Sequence, residues 1–382
     1  MESMEDKGKG SNTRFDCVDI FRGLTISLML MVINPGDVTK IPAQFKHAAW
    51  NGITLADFVF PFFIFIMGVV VPISINKRLE KGISRIRIIT NVLSRSVMMF
   101  LLGLILNGFP TFDLAVIRVP GVLQRIAIVY FCSVLIYLLV RSLFKREIVQ
   151  IGVQSLITVL LLILYYWILK HVQVPGISEL KGGLVSYIDL KYLKGHLYTA
   201  TFDPEGILST IPAISSGLFG VIVGMVLLRR DNRLVKIIVL VCSGVLLLLY
   251  ASWFNSIFPY NKNLWSSSFV LVTSGYGILL LTALYLITDI LKMGGILTAF
   301  KAIGASPIFV YFASNIVGRI IWGLPIKDAI SGATMTFKAW VMERLISPWA
   351  HSLDSIYFSV LYVVVWMAIA GVLYHRKIYI RL

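Results

Sequence analysis

Residues 57–75 read DFVFPFFIFIMGVVVPISI, and their reading decides the fold. After Asp57 the stretch carries no charged side chain, and it is long enough to cross the hydrocarbon of a bilayer as a helix. Comparable apolar runs recur to either side. Segments near 18–34, 57–75, 93–108, 122–140, 148–169, 207–228, 237–254, 266–289, 303–322 and 355–374 are read as ten spans. Composition agrees, because 58% of the 382 residues are hydrophobic and only 14% are charged, too few to clothe a soluble protein. The expected fold class is therefore all-α, a polytopic transmembrane helix bundle of about ten spans. It forms one domain over 15–382 behind a polar tail at 1–14. That tail has no apolar core before a cleavage site, so the first span is expected to stay in the mature protein.

A formal charge of +16 would suit a nucleic-acid binder, but the basic residues lie between apolar runs. Lys77, Arg78, Lys81, Arg85 and Arg87 cluster in 76–92, Arg141, Lys145 and Arg146 in 141–147, and Arg229, Arg230, Arg233 and Lys236 in 229–236. The alternate connections are poorer, with Lys40 and Lys46 in 35–56 and Lys262 alone in 255–265. This alternation is the positive-inside pattern, and it places both termini in the cytoplasm and the longer loops 35–56, 170–206 and 323–354 on the opposite face. No nucleic-acid partner is expected. Cys17, Cys132 and Cys242 show neither disulfide nor metal-ligand spacing. Gly217, Gly220 and Gly224 recur at close-packing intervals and are read as a helix–helix contact.

Polar residues that interrupt these spans mark where chemistry could occur. Asp19 and Arg22, three apart, would share one face at the start of the first span, either as an ion pair or as part of a site. After Asn34 the loop runs to QFKHAAWNGITLAD, residues 44–57. His47 is the one imidazole between the first two spans, with a side chain suited to proton transfer near neutrality or to packing at the interface beside Trp50. Asp57 opens the second span, where a carboxylate caps free N–H groups and can also orient a site. In RVPGVLQR, Pro120 suits the first turn of the fourth span, and Arg118, Gln124 and Arg125 could hold a carboxylate or phosphate. They could equally snorkel to headgroups. Asp203 and Glu205 in FDPEGIL, and Asn261, Lys262, Asn263 and Trp265 in YNKNLWS, bring polar groups to the face that carries His47. There they could bind a sugar or cap helices. Phosphate-loop, HExxH and GxSxG patterns are absent.

The run DIFRGL, MVINPG, FKHAAWNGITLADFVFPFFIFIMG, RVPGVLQR, FDPEGILSTI and PYNKNLWS, in that order, closely resembles the heparan-alpha-glucosaminide N-acetyltransferase family. The likeness extends from about residue 15 to the C-terminus, in the form of a bacterial-type member without the luminal domain. It implies transfer of acetyl from cytoplasmic acetyl-CoA to the amino group of a glucosamine-type sugar on the far side of the membrane. His47 stands at the family's active histidine and Asn34 at its partner asparagine, with Asp57 available to fix the histidine tautomer. Arg22 and Arg95 are candidates for the donor's phosphates, together with Arg118, Gln124 and Arg125. Asp203, Glu205, Asn261, Lys262 and Trp265 are candidates for the acceptor. The resemblance requires no metal, admits a homodimer, and places the chain in a bacterial inner or plasma membrane. Two other readings stay open from the residues alone, a proton-coupled transporter and a polysaccharide O-acetyltransferase.

Overall fold

The computed structural model describes residues 15–174, 180–328, 330, 332–350 and 353–379, so the 1–14 tail lies outside the described residues. The helices run in the order α1 (Asp16–Ile33), α2 (Leu55–Glu80), α3 (Arg85–Gly108), α4 (Val122–Leu143), α5 (Glu147–His171), α6 (Leu184–Leu193) and α7 (Thr210–Leu228). They continue as α8 (Arg233–Asn255), α9 (Ser267–Leu284), α10 (Ala299–Ala305), α11 (Pro307–Gly323), α12 (Phe337–Val341), α13 (Ser347–Ala350) and α14 (Asp354–His375). Two short antiparallel strands, β1 (Pro325–Lys327) and β2 (Thr334–Thr336), form a hairpin between α11 and α12. The expected all-α membrane bundle is borne out: among the described residues eight helices are long and apolar enough to cross a membrane, and nine if a bent pair counts as one span. The expected first span is also a helix, but Asp16, Asp19 and Arg22 charge its first two turns.

Sequence and structure differ at three places. The span expected at 303–322 is broken: Gly295–Ala305 and Pro307–Gly323 meet at 76°. Pro307 lacks an N–H and disfavours helical backbone at the residue before it, and Ser306 accordingly leaves the helix at φ −139°, ψ 56°. The short α10 packs on α1 instead, where a Cβ on Gly304 would lie 1.9 Å from the Asp19 carbonyl oxygen. The basic segment read as a loop over 76–92 is mostly helical, because α2 runs to Glu80 and α3 begins at Arg85. The fourth span starts at Val122 after Gly121, so Pro120 precedes the helix and does not occupy its first turn.

Burial sorts the helices into layers. In α2 and α7, 67% of the apolar window is buried within the protein, against 22% in α8 and 28% in α3 and α5. The first two form the centre of the bundle, and the last three present Leu, Ile and Val side chains outwards, as lipid-facing helices do. The glycine stripe makes the central contact possible. A Cβ on Gly220 would lie 2.0 Å from the Phe65 carbonyl oxygen, and one on Gly68 would lie 2.0 Å from that of Gly217. Successive connections alternate between the two ends of the bundle. One end gathers the turns at 81–84, 144–146 and 229–232. The other gathers 34–54, 109–121, the α6–α7 loop and 256–266, and the candidate site lies there.

Candidate active site

Thr54 is the N-cap of α2, and Asp57 is its third residue in a reciprocal capping box, not the N-cap itself. Asp57 is fully buried. Its Oδ2 accepts from the backbone N–H of Ala48 (3.1 Å) and Thr54 (3.0 Å), while Oδ1 lies 2.8 Å from His47 Nδ1. One carboxylate therefore caps the helix, fixes the loop and orients the imidazole. In the tautomer that donates Nδ1–H to this carboxylate, Nε2 is the ring nitrogen with the lone pair. The His47 side chain is 47% exposed and opens into a cavity of about 360 Å³.

The opposite wall is built by three loops. Lys262 places Nζ 3.0 Å from both ring nitrogens of His47 and 3.8 Å from Asp57 Oδ1. Burial pulls the Lys262 ammonium below its ordinary pKa, although the Glu205 and Asp57 carboxylates work to hold it up. Arg118 donates Nε to Asp203 at 2.7 Å and Nη2 to the other Asp203 oxygen at 2.6 Å, and it also pairs with Glu205. Burial works against that charge, but the two carboxylates outweigh it and hold the guanidinium above its ordinary pKa. The Tyr198 ring covers the Arg118 guanidinium at 4.7 Å, and both line the cavity with Glu205, Lys262 and Asn263.

Other residues singled out from the sequence are not in the cavity wall. The Asn34 amide donates to the Leu30 carbonyl at 3.2 Å and lies against Gly318, so the structure does not bring it to His47. The α1 helix ends at Ile33 with Asn34 as its C-cap, and Asn34 Oδ1 lies beside Gly318 of α11. Arg118, Gln124 and Arg125 do not form one anion-binding face, because Arg118 precedes α4 and turns Nε and Nη2 to the Asp203 and Glu205 carboxylates. Gln124 is buried against Gly103 and Gly121. Arg125 is also buried, held by Ser209 and the Gly206 carbonyl, with its guanidinium 5.0 Å from the Trp265 ring centroid. Trp265 is a core residue that donates Nε1 to Ser216 Oγ at 3.1 Å. Asn261 is a turn residue that accepts from the Leu264 N–H and donates to Asn51 Oδ1. Asp203 is buried as the partner of Arg118 and the acceptor for the Tyr198 N–H. Tyr198 was not singled out from the sequence, whereas Asn263 belongs to the polar run of YNKNLWS that was. A lone tyrosine in a long polar loop carries no signal until that loop closes on Arg118.

A second cavity, of about 160 Å³, lies nearer the basic end and is lined by Arg22, Arg95, Ser74, Tyr130, Met67 and Ile126 among others. Arg22 pairs with Asp19, as their spacing suggested. The two cavities stack along the same helices: Phe60 of α2 lines one and Phe63 the other, as do Val122 and Ile126 of α4. Those intervals correspond to roughly 4.5–6 Å along a helix axis. Among the described residues no group of three or more His, Cys, Asp or Glu is gathered as a metal site.

Fold and site together define a multi-pass membrane protein with a histidine–aspartate pair opening into a cavity at one end of its bundle. Residues 14–175 match a family model described as a domain of unknown function, DUF5009. The chain is similar to heparan-alpha-glucosaminide N-acetyltransferases, as its motifs suggested. It is 30% identical over 420 aligned residues to the one from Homo sapiens and 28% identical over 425 to the one from Mus musculus. The alignments cover 96% and 97% of this chain, but only 59% and 61% of the relatives, so the chain spans about three-fifths of their length.

Proposed function

We propose that the protein is a membrane acetyltransferase that passes acetyl from acetyl-CoA to the amino group of a glucosamine-type sugar. The observation that carries this reading is the stacking of the two cavities on α1, α2 and α4. A pair of arginines lines the one at the basic end, and the His47–Asp57 pair opens into the one at the other. In this reading the basic end faces the cytoplasm. Arg22 and Arg95 bind the donor's phosphates, and the pantetheine arm follows the apolar line between the cavities to bring the thioester to His47. Glu205 faces the amino sugar. The His47 Nε2 lone pair takes a proton from the attacking amine, Asp57 stabilises the imidazolium, and the departing thiolate receives that proton.

Purified protein incubated with labelled acetyl-CoA and a panel of amino sugars should form an acetyl amide. An ester product would indicate the O-acetyltransferase alternative. His47→Ala should lower kcat by about 10²–10⁴-fold. Acetyl-CoA should raise the thermal stability of wild type and of His47→Ala alike, since it binds the native state. No stabilisation and no product from folded protein would favour a transporter. The single bent helix pair among the described residues, without a counterpart in the other half of the chain, already weighs against that alternative.

A further inference from the structure

We infer that Lys262 is a catalytic residue, the positive charge that stabilises the oxyanion formed on the acetyl carbonyl oxygen. This rests on acyl transfer at His47. When the amine nitrogen attacks the thioester carbon, the C=O π pair moves to oxygen and a tetrahedral oxyanion forms. His47 takes the amine proton, and the pair on oxygen then re-forms C=O as the C–S bond breaks. The sulfur leaves with the bonding pair and takes the proton from His47, giving an amide and a free thiol. The oxyanion needs a donor positioned in advance. The Asn34 amide donates to the Leu30 carbonyl and lies against Gly318, outside the cavity lining. Arg118, the other cation lining the cavity, is committed to Asp203 and Glu205.

Lys262 has the required position, and the protein holds it there. Its Nζ is 3.0 Å from His47 Nε2, so a carbonyl under attack beside that nitrogen lies within reach of the ammonium without backbone movement. Its loop is pinned to the His47 loop at two points: the Gly52 N–H donates to the Tyr260 carbonyl at 2.8 Å, and Asn261 Nδ2 donates to Asn51 at 3.1 Å. The loop closes on Trp265, which is fully buried and held at φ 51°, a conformation that costs energy in a bulky residue. The Trp265 N–H donates to the Lys262 carbonyl at 3.1 Å, so the strained turn fixes the backbone from which the lysine extends.

The experiment compares wild type with Lys262→Gln and Lys262→Cys. The expected result is a kcat lower by about 10²–10³-fold with the KM for acetyl-CoA nearly unchanged, the size of effect that loss of an oxyanion donor has elsewhere. Aminoethylation of Lys262→Cys, which restores an amine at that position, should recover activity, and the same treatment of Lys262→Gln should not. A kcat within a few-fold of wild type, or a loss confined to KM, overturns the inference while acetyl transfer by wild type stands. Absence of transfer by wild type would instead sink the proposed function. If the variants fail to fold, modification of wild type decides. An amine-directed reagent should inactivate in step with labelling of Lys262, and a non-transferable thioether analogue of acetyl-CoA should protect. Full labelling with retained activity would refute the role.

Discussion

At the level of single residues the site is a set of charges held close together. Lys262 faces His47 on the neighbouring loop, Asp57 from α2, and Glu205 with Arg118 behind it. Burial lowers its pKa from the ordinary 10.5, and the two carboxylates partly oppose that. A group that acts as an ammonium loses its function as pH rises through its pKa. The alkaline limb of kcat should therefore begin below the range of an ordinary lysine. Glu205→Gln removes one of the carboxylates that hold the charge, so it should move that limb to still lower pH. A pH–rate profile of the two proteins checks this, and an unmoved limb would detach the limb from Lys262. Much of this was legible in the sequence, because a histidine and a carboxylate ten residues apart flank a helix start. The position of Asn34 was not: its neighbours on α11 and α14 are hundreds of residues distant, and no local pattern encodes which way a C-cap side chain turns.

Single helices owe their places to volume as much as to hydropathy. The α2–α7 contact exists because glycines meet carbonyl oxygens across it, and an added side chain has nowhere to go. Gly220→Leu should therefore lower thermal stability in detergent by several degrees and deplete folded protein, since overpacking costs about 1–3 kcal/mol or more. Gly152 of α5 has no atom within 4 Å of where its Cβ would sit. Gly152→Ala should be neutral or stabilising, by up to about 1 kcal/mol through helix propensity. Melting curves of both variants separate close packing from a general intolerance of glycine replacement; equal losses would contradict the packing account. The helices themselves were readable from runs of apolar residues. The break at Ser306 was less so, because hydropathy averages over the Ser-Pro step and only backbone sterics distinguish a bend from a continuous span.

Across the whole molecule, the ends of the bundle differ in kind, one gathering basic turns and the other the loops around His47. If the basic end is cytoplasmic, a membrane-impermeant thiol reagent should label Lys81→Cys only from inside and Tyr192→Cys only from outside, in a background without the three native cysteines. Labelling of both from the same side would reverse the direction of the proposed transfer or remove it. On α2 and α4 the layer between the lining residues of the two cavities is three or four residues, about one helical turn. In a protein hollowed from both sides the membrane potential falls mainly across such a layer, where each elementary charge moved through 100 mV is worth about 2.3 kcal/mol. In the proposed reaction the donor's phosphates stay at one end, and the acetyl group crosses as part of a neutral thioester. The proton shed by the amine passes to the sulfur beside His47 and returns with the thiol as a neutral group. That proton rests on His47 as an imidazolium only between its two transfers and crosses as part of the thiol, so turnover carries no net current, and the overall free energy of the transfer does not depend on the voltage across the membrane.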